Sequence, residues 1–259
     1  GLSVTVALTP DGRADSVAAS PADGREYFAE PAEEKMDLAA FFELLRDPSA
    51  DGVPYLQLQD DSLRKEFAPL LADVPENGPA FAAAAFGRPP EAVNLWIGDG
   101  RSLTSWHKDH YENIYLVVRG TKHFTLLPPT EGHRTCPRTY PAARWRRRGD
   151  WELVPEEPER LVEWASVNPL RRPTPEQATF FSKEWPPPLR CTVRAGEMLY
   201  LPSMWYHLVE QEEDEDEAGG AAVAVNWWYD MDFGAGVYAA HGLVREVAAR
   251  ARARAAGGG

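Results

Sequence analysis

Cysteine is scarce in this chain, whose 259 residues include only Cys136 and Cys191. Two cysteines are too few for a disulfide framework, and neither has a neighbour at the spacing of a zinc site. The sequence therefore indicates a reducing compartment, and we expect the protein in the cytoplasm and also in the nucleus. No secretory signal pattern is visible, but the sequence begins at Gly1 without a methionine, so a targeting segment before that residue is left open.

Long apolar runs and an excess of basic residues are missing as well. The apolar run Ala80–Phe86 is far too short to cross a bilayer, so we expect no membrane partner. The chain has 27 basic and 40 acidic residues, a formal net charge of −13, which disfavours a general phosphate-binding surface and hence a nucleic-acid partner. Such a charge is better matched by a basic or lysine-containing protein or peptide.

Short alternating segments dominate the chain from about residue 91 to residue 235. They are separated by Gly, Pro, Asp and Asn, which predicts a mainly β fold built as a double-sheet roll or barrel rather than a doubly wound sheet. Within this region, residues 128–188 form a Pro- and Arg-rich insertion that includes the basic stretch Arg144–Arg148. The predicted strands are Val93–Ile97, Ser105–Asp109, Asn113–Val118, Lys122–Leu127, Arg190–Val193, Met198–Leu201, Tyr206–Glu210 and Ala222–Tyr229.

Helical patterns flank this β region on both sides. Residues 1–90 mix strand-like and helical pieces, and we interpret them as an N-terminal α/β elaboration of the same domain. Apolar spacing predicts a helix over Lys35–Arg46, with Asp37 as its N-cap, and a second helix over Leu63–Leu71. Val53–Gln59 alternates and predicts a strand. Residues 236–259 are predicted to form a C-terminal helix with a frayed Gly-rich tail.

Two histidines and one aspartate stand out within the β region. On a strand, the side chains of His107 and Asp109 point to the same face, and His207 follows on a distant strand. Two imidazoles and one carboxylate, which leave coordination positions open, suit a non-haem Fe(II) centre and indicate an oxygenase. A lone His-x-Asp more often marks a solvated strand end, and a lone histidine more often belongs to a core. The combination on two strands of one roll favours a metal centre.

Other chemistries have less support in the sequence. There is no His-Glu-x-x-His zinc motif and no Gly-x-Ser-x-Gly elbow of a serine hydrolase. His110 falls on the opposite strand face from His107, so we expect it at the surface or in support of the centre, and Glu112 has no assigned role. The remaining histidines, which are His123, His133 and His241, are expected to be structural.

A buried cation is the next requirement. An Fe(II) oxygenase commonly takes electrons from a 2-oxo acid, whose far carboxylate needs a Lys or Arg in an apolar pocket. Lys122 meets this need if Arg119–Lys122 forms a two-residue hairpin turn with Gly120 in its first central position. A solvated lysine at the tip of the hairpin fits the pattern equally well. If the hairpin forms, strand alternation places six side chains on one face, which are Asn113, Tyr115, Val117, Lys122, Phe124 and Leu126.

Four segments of the chain carry a resemblance to a known family. They are Thr104–Tyr115, Gly120–Phe124, Arg194–His207 and Val225–Asp230. Together they closely resemble the Jumonji-C 2-oxoglutarate oxygenases and, within them, the small hydroxylase branch. The resemblance extends from about Val53 to the C-terminal helix. It implies a double-stranded β-helix, which is a cupin-like jelly roll.

The same resemblance implies roles for individual residues. It places a catalytic Fe(II) on His107, Asp109 and His207, with 2-oxoglutarate and O2 as co-substrates. Members of this branch often dimerise, so the C-terminal helix is a candidate homodimer surface. The resemblance also implies a co-substrate site in which Lys122 pairs with the far carboxylate of 2-oxoglutarate, assisted by Thr104 and Tyr55 and lined by Asn113 and Asn226, with Tyr115 as a wall shared with the substrate.

The implied reaction is the hydroxylation of a lysine side chain in a protein, with release of succinate and CO2. By resemblance, the target is a translation-associated GTPase. The runner-up is an N-methyl-lysine demethylase of the same chemistry, which is disfavoured because the chain lacks obvious reader or zinc modules. A metal-dependent peptidase ranks lower, since no residue is a clear general base. A non-catalytic cupin-like binding module ranks last.

Overall fold

β-Strands dominate the structure, and the predicted mainly β fold with flanking helices is confirmed. The computed structural model describes residues 1–168, 174–214 and 220–256. The strands are β1 (Ser3–Thr9), β2 (Ser16–Ala19), β3 (Glu26–Glu30), β4 (Ala32–Asp37), β5 (Val53–Tyr55), β6 (Ala92–Gly98), β7 (Thr104–His107), β8 (Tyr111–Arg119), β9 (Thr121–Leu127), β10 (Pro137–Arg148), β11 (Asp150–Pro155), β12 (Leu161–Ala165), β13 (Leu189–Arg194), β14 (Met198–Leu201), β15 (Tyr206–Glu212) and β16 (Ala222–Asp230). The α-helices are α1 (Leu38–Arg46), α2 (Ser62–Lys65), α3 (Ala80–Phe86), α4 (Ala178–Phe181) and α5 (Gly236–Ala256), and 3₁₀ helices cover Ala68–Ala72, Pro129–Thr135 and Pro175–Gln177.

Two four-stranded antiparallel sheets form the roll. One has the order β14-β8-β16-β6 and the other the order β13-β9-β15-β7. Their apolar side chains meet in one buried cluster, to which Tyr115 and Ala224 come from the first sheet and Phe124 and Val193 from the second. Facing sheets with alternating inward residues are the architecture of a jelly roll. The predicted double-sheet roll is therefore confirmed.

The hairpin predicted at Arg119–Lys122 is wrong in its pairing. β8 and β9 follow each other along the chain, but β8 pairs with β14 and β16 whereas β9 pairs with β13 and β15. Gly120, with a φ of +72°, turns the chain from one sheet into the other, a conformation that suits glycine. The predicted face survives this error, because alternation is a property of each strand alone. All six residues predicted on it are buried.

The N-terminal elaboration packs on the outer face of the first sheet. Ile114 and Trp227, which point away from the interior of the roll, join a buried cluster with Val6 of β1 and Phe41 of α1. The predicted N-cap of α1 is confirmed, since the Asp37 side chain accepts a hydrogen bond from the backbone N–H of Ala39. This helix is shorter than predicted, because residues 32–37 form β4.

The helix predicted over Leu63–Leu71 is interrupted. Only Ser62–Lys65 is α-helical, and a separate 3₁₀ turn begins at Ala68 with Pro69 in its first positions. Proline cannot donate the backbone hydrogen bond that a continuous helix requires, so the chain starts a new turn there.

The insertion 128–188 pairs with the N-terminal elaboration. β10 runs parallel to β3, and the sheet that they share has the order β11-β10-β3-β2, with β12 also paired with β10. Two of the four arginines in the basic stretch are paired there, since Arg144 forms ion pairs with Glu30 and Glu33, and Arg147 with Glu34. The insertion is thus an ordered layer in its described part.

The C-terminal helix lies against the 3₁₀ turn that follows β9. His241 of α5 is buried and shares a hydrogen bond of 3.1 Å with the Tyr206 hydroxyl of β15. Of the helices that the structure describes, none has both the length and the apolar character needed to span a membrane. The division of the chain into residues 1–90, 91–235 and 236–259 stays a prediction.

Replacing Ile114 with alanine should destabilise the fold strongly. Ile114 is 2% exposed and fills the cluster between the first sheet and the N-terminal elaboration, so truncation leaves a cavity. We expect a loss of about 2–5 kcal/mol in the free energy of unfolding, measured by urea denaturation. Val118→Ala, on the same strand but 52% exposed, is the matched control and should change stability far less. Equal losses in both variants would contradict this packing.

Candidate metal centre

Strand pairing brings the two predicted histidine ligands together. His207 of β15 lies directly opposite His107 of β7 in the antiparallel ladder, and their ring centroids are 4.0 Å apart. Asp109 is not on the same strand as predicted, because β7 ends at His107 and Asp109 lies in the following loop. The aspartate nevertheless turns back toward the histidines.

The three side chains form a compact donor set. The Asp109 Oδ2 atom is 3.8 Å from His107 Nε2 and 3.6 Å from His207 Nε2, and one donor atom of each residue lies within 4.8 Å of the others. No other group of three His, Cys, Asp or Glu side chains with this spacing occurs in the described residues. Two imidazoles and one carboxylate fit the facial arrangement of a non-haem Fe(II) site.

Backbone carbonyls fix the orientation of both imidazole rings. His107 Nδ1 lies 2.8 Å from the carbonyl oxygen of Ser105, and His207 Nδ1 lies 3.0 Å from that of Trp205. A carbonyl only accepts, so each Nδ1 carries the hydrogen and each Nε2 presents its lone pair toward Asp109. Burial is the main cause that lowers the pKa of His207 to about 4, which keeps this ring neutral, as metal ligation requires.

The loop that carries Asp109 is tied to the turn before β15. The backbone N–H of Met204 donates to the Asp109 carbonyl at 2.9 Å, and Met204 itself has a φ of +67°. A left-handed conformation costs free energy in a residue other than glycine, and such residues cluster at functional sites. The hydrogen bond thereby holds the carboxylate loop beside the strand that carries His207.

A β-bulge aligns Thr104 with the centre. His107 pairs with His207, but Thr104 pairs with Val209, so β7 contains one residue more than β15 over this interval. The extra residue lets Thr104 and His107, three positions apart, face the same cavity. The residues lining this cavity are Tyr55, Trp96, Thr104, His107, Asp109, Asn113, Tyr115, Phe124, His207, Val209, Asn226 and Trp228.

Lys122 is buried beside this cavity. Its ammonium donates to the Tyr55 hydroxyl at 3.1 Å and to the Gln211 side-chain oxygen, and the Tyr55 hydroxyl also bonds Thr104. Desolvation by burial lowers the pKa of Lys122 to about 7 and raises that of Tyr55. No carboxylate forms an ion pair with Lys122 within the described parts of the chain. A buried lysine without a carboxylate partner can stabilise the negative charge of a bound anion.

Two buried asparagines are locked by hydrogen bonds across the first sheet. The Asn226 amide donates to the Asn113 side-chain oxygen at 3.1 Å, and the Trp96 indole donates to the Asn226 side-chain oxygen at 2.9 Å. All three residues are under 8% exposed. The network fixes the polar wall of the cavity opposite the histidines.

Comparisons with known proteins agree with this geometry. Residues 1–235 match the family model described as a cupin-like domain. Lysine-specific demethylase JMJ32 of Arabidopsis thaliana is 45% identical over 89% of this chain and 67% of its own length. The human bifunctional peptidase and (3S)-lysyl hydroxylase JMJD7 is 40% identical over 89% of this chain and 68% of its own. The JmjC domain-containing protein E of Dictyostelium discoideum is 33% identical over 89% and 70%.

The chain belongs to the cupin-like JmjC family. It is therefore a 2-oxoglutarate-dependent oxygenase, and the predicted family and enzyme class are confirmed. The JmjC cavity contains eight of the nine residues predicted for the site, and the ninth, Lys122, bonds its Tyr55 wall.

The other singled-out side chains lie outside the JmjC cavity. His110 stacks on Phe233 at 6.0 Å, beside α5, and Lys108 lies 3.5 Å from its Nε2 atom. Glu112 accepts hydrogen bonds from Tyr200 and Ser203, so it ties β8 to β14 and to the turn that follows β14. His123 contacts Thr192 and Glu212, His133 contacts Trp185, and His241 contacts Tyr206. Trp227 packs in the outer core and Trp205 against the cluster inside the roll.

Two JmjC site residues were missed by the sequence reasoning. Gln211 is 5% exposed. Its amide donates a hydrogen bond to the Asp99 carbonyl at 2.7 Å, and its side-chain oxygen accepts one from the Lys122 ammonium. Alternation along β15 gives the signal, because His207, Val209 and Gln211 share one face. Trp96 is the second, and its hydrogen bond to Asn226 and its place in the cavity wall identify it.

Asp109→Ala should abolish tight metal binding by this JmjC centre. The variant removes the only carboxylate of the donor set. We expect the affinity for the metal to fall by more than the roughly 10- to 100-fold that follows removal of a group hydrogen-bonded to a metal ligand. Calorimetric titration with Mn²⁺ under anaerobic conditions measures it. His123→Ala, which removes a histidine on the outer side of β9, is the control and should bind like the wild type. Wild-type affinity in Asp109→Ala would contradict the assignment.

Proposed function

We propose that the protein is an Fe(II)- and 2-oxoglutarate-dependent hydroxylase that acts on a lysine side chain of a protein. The observation that carries this proposal is the convergence of His107, Asp109 and His207 at one end of the cavity with Lys122 buried at its wall. One end provides an open metal site and the other a cation for a dicarboxylate. This combination is what the co-substrate requires.

The metal ligands would be the two Nε2 atoms and the Asp109 carboxylate. When bound, Fe(II) together with 2-oxoglutarate and O2 supplies the oxidation of a substrate C–H bond, with release of succinate and CO2. The protein would provide three ligands to the metal. The Ser105 and Trp205 carbonyls keep both rings in the tautomer that can bind it.

Lys122 would pair with the far carboxylate of 2-oxoglutarate. Its neighbours Tyr55 and Thr104 offer hydroxyl groups on the same side, and Gln211 positions the ammonium from β15. Asn113 and Asn226 would line the co-substrate from the opposite sheet. A charge-assisted hydrogen bond of this kind contributes about 1.5–3 kcal/mol.

The substrate class rests on the relatives and on charge. The printed names of two relatives specify lysine, one as a hydroxylase and one as a demethylase. The net charge of −13 favours a basic or lysine-containing partner over nucleic acid. A translation-associated GTPase as the target, and a cytoplasmic and nuclear location, stay predictions.

Demethylation of an N-methyl-lysine is the second candidate. Aromatic rings line much of the cavity, with Tyr55, Trp96, Tyr115, Phe124 and Trp228 among its walls. Aromatic faces stabilise methylated ammonium groups through cation–π attraction. The name of the Arabidopsis relative, a lysine-specific demethylase, points the same way.

Peptide hydrolysis ranks below both oxidative reactions. It needs a general base near a metal-bound water. In the cavity, Asp109 is the one Asp or Glu among the lining residues, and it belongs to the metal donor set.

A homodimer through α5 also belongs to this proposal. The helix leaves apolar side chains exposed, with Leu243 65%, Val247 58% and Val237 48% accessible. A second copy covering them would remove this surface from water. Sedimentation of the wild type beside Leu243→Glu tests it, and a monomeric wild type would reject it.

Mass spectrometry of lysine-containing peptides after turnover tests the proposed function. A hydroxylase adds one oxygen, whereas a demethylase removes a methylene from a methylated peptide. Succinate release that depends on the peptide should accompany the change, and His107→Ala should show neither. Cleavage of the peptide that persists without 2-oxoglutarate and is lost in His107→Ala would instead support the peptidase. Failure to turn over 2-oxoglutarate with any lysine peptide would reject an oxygenase of lysine.

Lys122→Met should weaken 2-oxoglutarate binding and leave metal binding unchanged. Methionine keeps the apolar stem but removes the ammonium, so the co-substrate should bind roughly 10- to 100-fold more weakly. Fluorescence titration of the Mn²⁺-loaded protein measures the dissociation constant. Lys35→Met, at an exposed position of β4, is the control. Unchanged affinity in Lys122→Met would reject the pocket assignment.

The affinity for 2-oxoglutarate should fall as the pH rises above 7. Burial lowers the pKa of the free Lys122 ammonium to about 7, and a bound carboxylate favours its protonated form. Below pH 7 the amine is already charged and affinity is constant. Above it binding takes up a proton, and the dissociation constant rises by up to about tenfold per pH unit. In Lys122→Met this dependence should vanish, and its persistence there would assign it to another group.

A further inference from the structure

A second cavity lies between β1, β3 and the segment that follows β5. It has a volume of about 310 Å³. Its lining residues include Asp15, Glu30, Glu33, Gln57 and Arg144. Neither the predicted ligand set nor the predicted co-substrate site uses any of them.

Asp15 connects this cavity to the metal centre by two contacts. The Gln57 amide donates to its Oδ2 atom at 3.4 Å, and Gln57 follows the site residue Tyr55 by two positions. The Ser105 hydroxyl donates to the Asp15 carbonyl at 2.5 Å, and Ser105 precedes the ligand His107 by two positions. Asp15 is thus tied to the two chain segments that carry Tyr55 and His107, with its carboxylate bonded by Gln57 and its backbone carbonyl by Ser105.

The charges of this cavity are unevenly paired. Glu30 forms ion pairs with Arg144 and Arg160, and Glu33 forms one with Arg144. Asp15 has the single side-chain hydrogen bond from Gln57 and, within the described residues, no ion pair with a Lys or Arg. A largely enclosed carboxylate without a direct ion pair is unfavourable, so a ligand cation placed against it would be stabilised.

The pKa of Asp15 agrees with this imbalance. Burial, followed by the charge of Glu30, raises it to about 6, although His107 and Arg144 act in the opposite direction. A cation placed against the carboxylate would offset both causes.

We propose that Asp15 binds the cationic end of the substrate side chain and thereby selects lysine over neutral side chains. This inference rests on the proposed function, because the substrate enters the same centre. It adds a specificity residue in the loop between β1 and β2, about ninety positions before the first metal ligand. Asp15 takes no part in holding the metal or 2-oxoglutarate.

Asp15→Asn is the decisive variant. Asparagine has the same shape, keeps an oxygen for Gln57, and is among the residues that best tolerate the positive φ of +49° at this position. The variant should therefore fold, which its melting temperature checks. Glu33→Gln is the matched control, because Glu33 lines the same cavity but is exposed and already paired with Arg144.

The measurement is binding of a capped peptide with one central lysine, and of its norleucine analogue, to protein loaded with Mn²⁺ and 2-oxoglutarate without oxygen. The wild type should prefer lysine by roughly 10- to 100-fold. Asp15→Asn should lose this preference by weakening the lysine peptide alone. Glu33→Gln should keep it within about twofold, as expected for an exposed pair. Affinities for Mn²⁺ and 2-oxoglutarate should be unchanged in both variants.

Two results would overturn the inference. One is a wild type that binds both peptides equally, and the other is an Asp15→Asn variant that still prefers lysine. Failure of the proposed function looks different, because oxygen transfer to lysine would then be absent while the Asp15-dependent preference in binding persists. Conversely, normal hydroxylation with unaltered preference in Asp15→Asn would keep the proposed function and remove Asp15 from substrate recognition.

Discussion

The pairing of β15 with β7 is the constraint on which the site depends. It places His207 opposite His107, although one hundred positions separate them, and the bulge beside this pair turns Thr104 into the same cavity. The backbone then sets the tautomer of each ring through a carbonyl two residues earlier. Register, ring orientation and cavity wall therefore follow from one strand ladder. A slip of β15 by one residue would turn His207 to the outer face and separate it from His107.

Burial sets the chemistry of the opposite end of the cavity. Lys122 sits among apolar neighbours, where its charge is only marginally stable, and the hydroxyl of Tyr55 and the amide of Gln211 are its partners. Under the proposed function, a dicarboxylate would supply the counter-charge. The enclosure that destabilises the charged lysine would also strengthen its attraction to a bound carboxylate, so co-substrate affinity would depend on the packing of the two sheets.

Period-two alternation explains most of what was predictable. It correctly predicted that Asn113, Tyr115 and Lys122 lie inside the roll. The predicted hairpin between β8 and β9 is absent, but alternation along each strand does not depend on which strand is its partner. The pairing partners themselves depend on contacts across the chain that local sequence does not specify. The bulge at Thr104 breaks alternation, so only the family resemblance indicated that residue. Asp109 lies past the strand end, where periodicity gives no orientation.

The roles of the nine predicted site residues remain predictions, although the structure gathers them around one cavity. Family membership is firmer, since it rests on a match over residues 1–235 and on relatives that share up to 45% of the aligned residues. The choice between the two proposed reactions, hydroxylation and demethylation of lysine, would depend on how a substrate lies in the cavity, which strand patterns do not encode.

The parallel pairing of β10 with β3 has a consequence for how this enzyme could diversify. The cavity that contains Asp15 and Glu30 borrows Arg144 from the insertion, whereas the metal donors come from the roll alone. Changes in the length or charge of the inserted layer would therefore alter this cavity while the three metal-donor residues stay in place. Under the proposed role of Asp15, substrate selectivity and metal binding depend on separate layers of one fold, and either layer can change without the other.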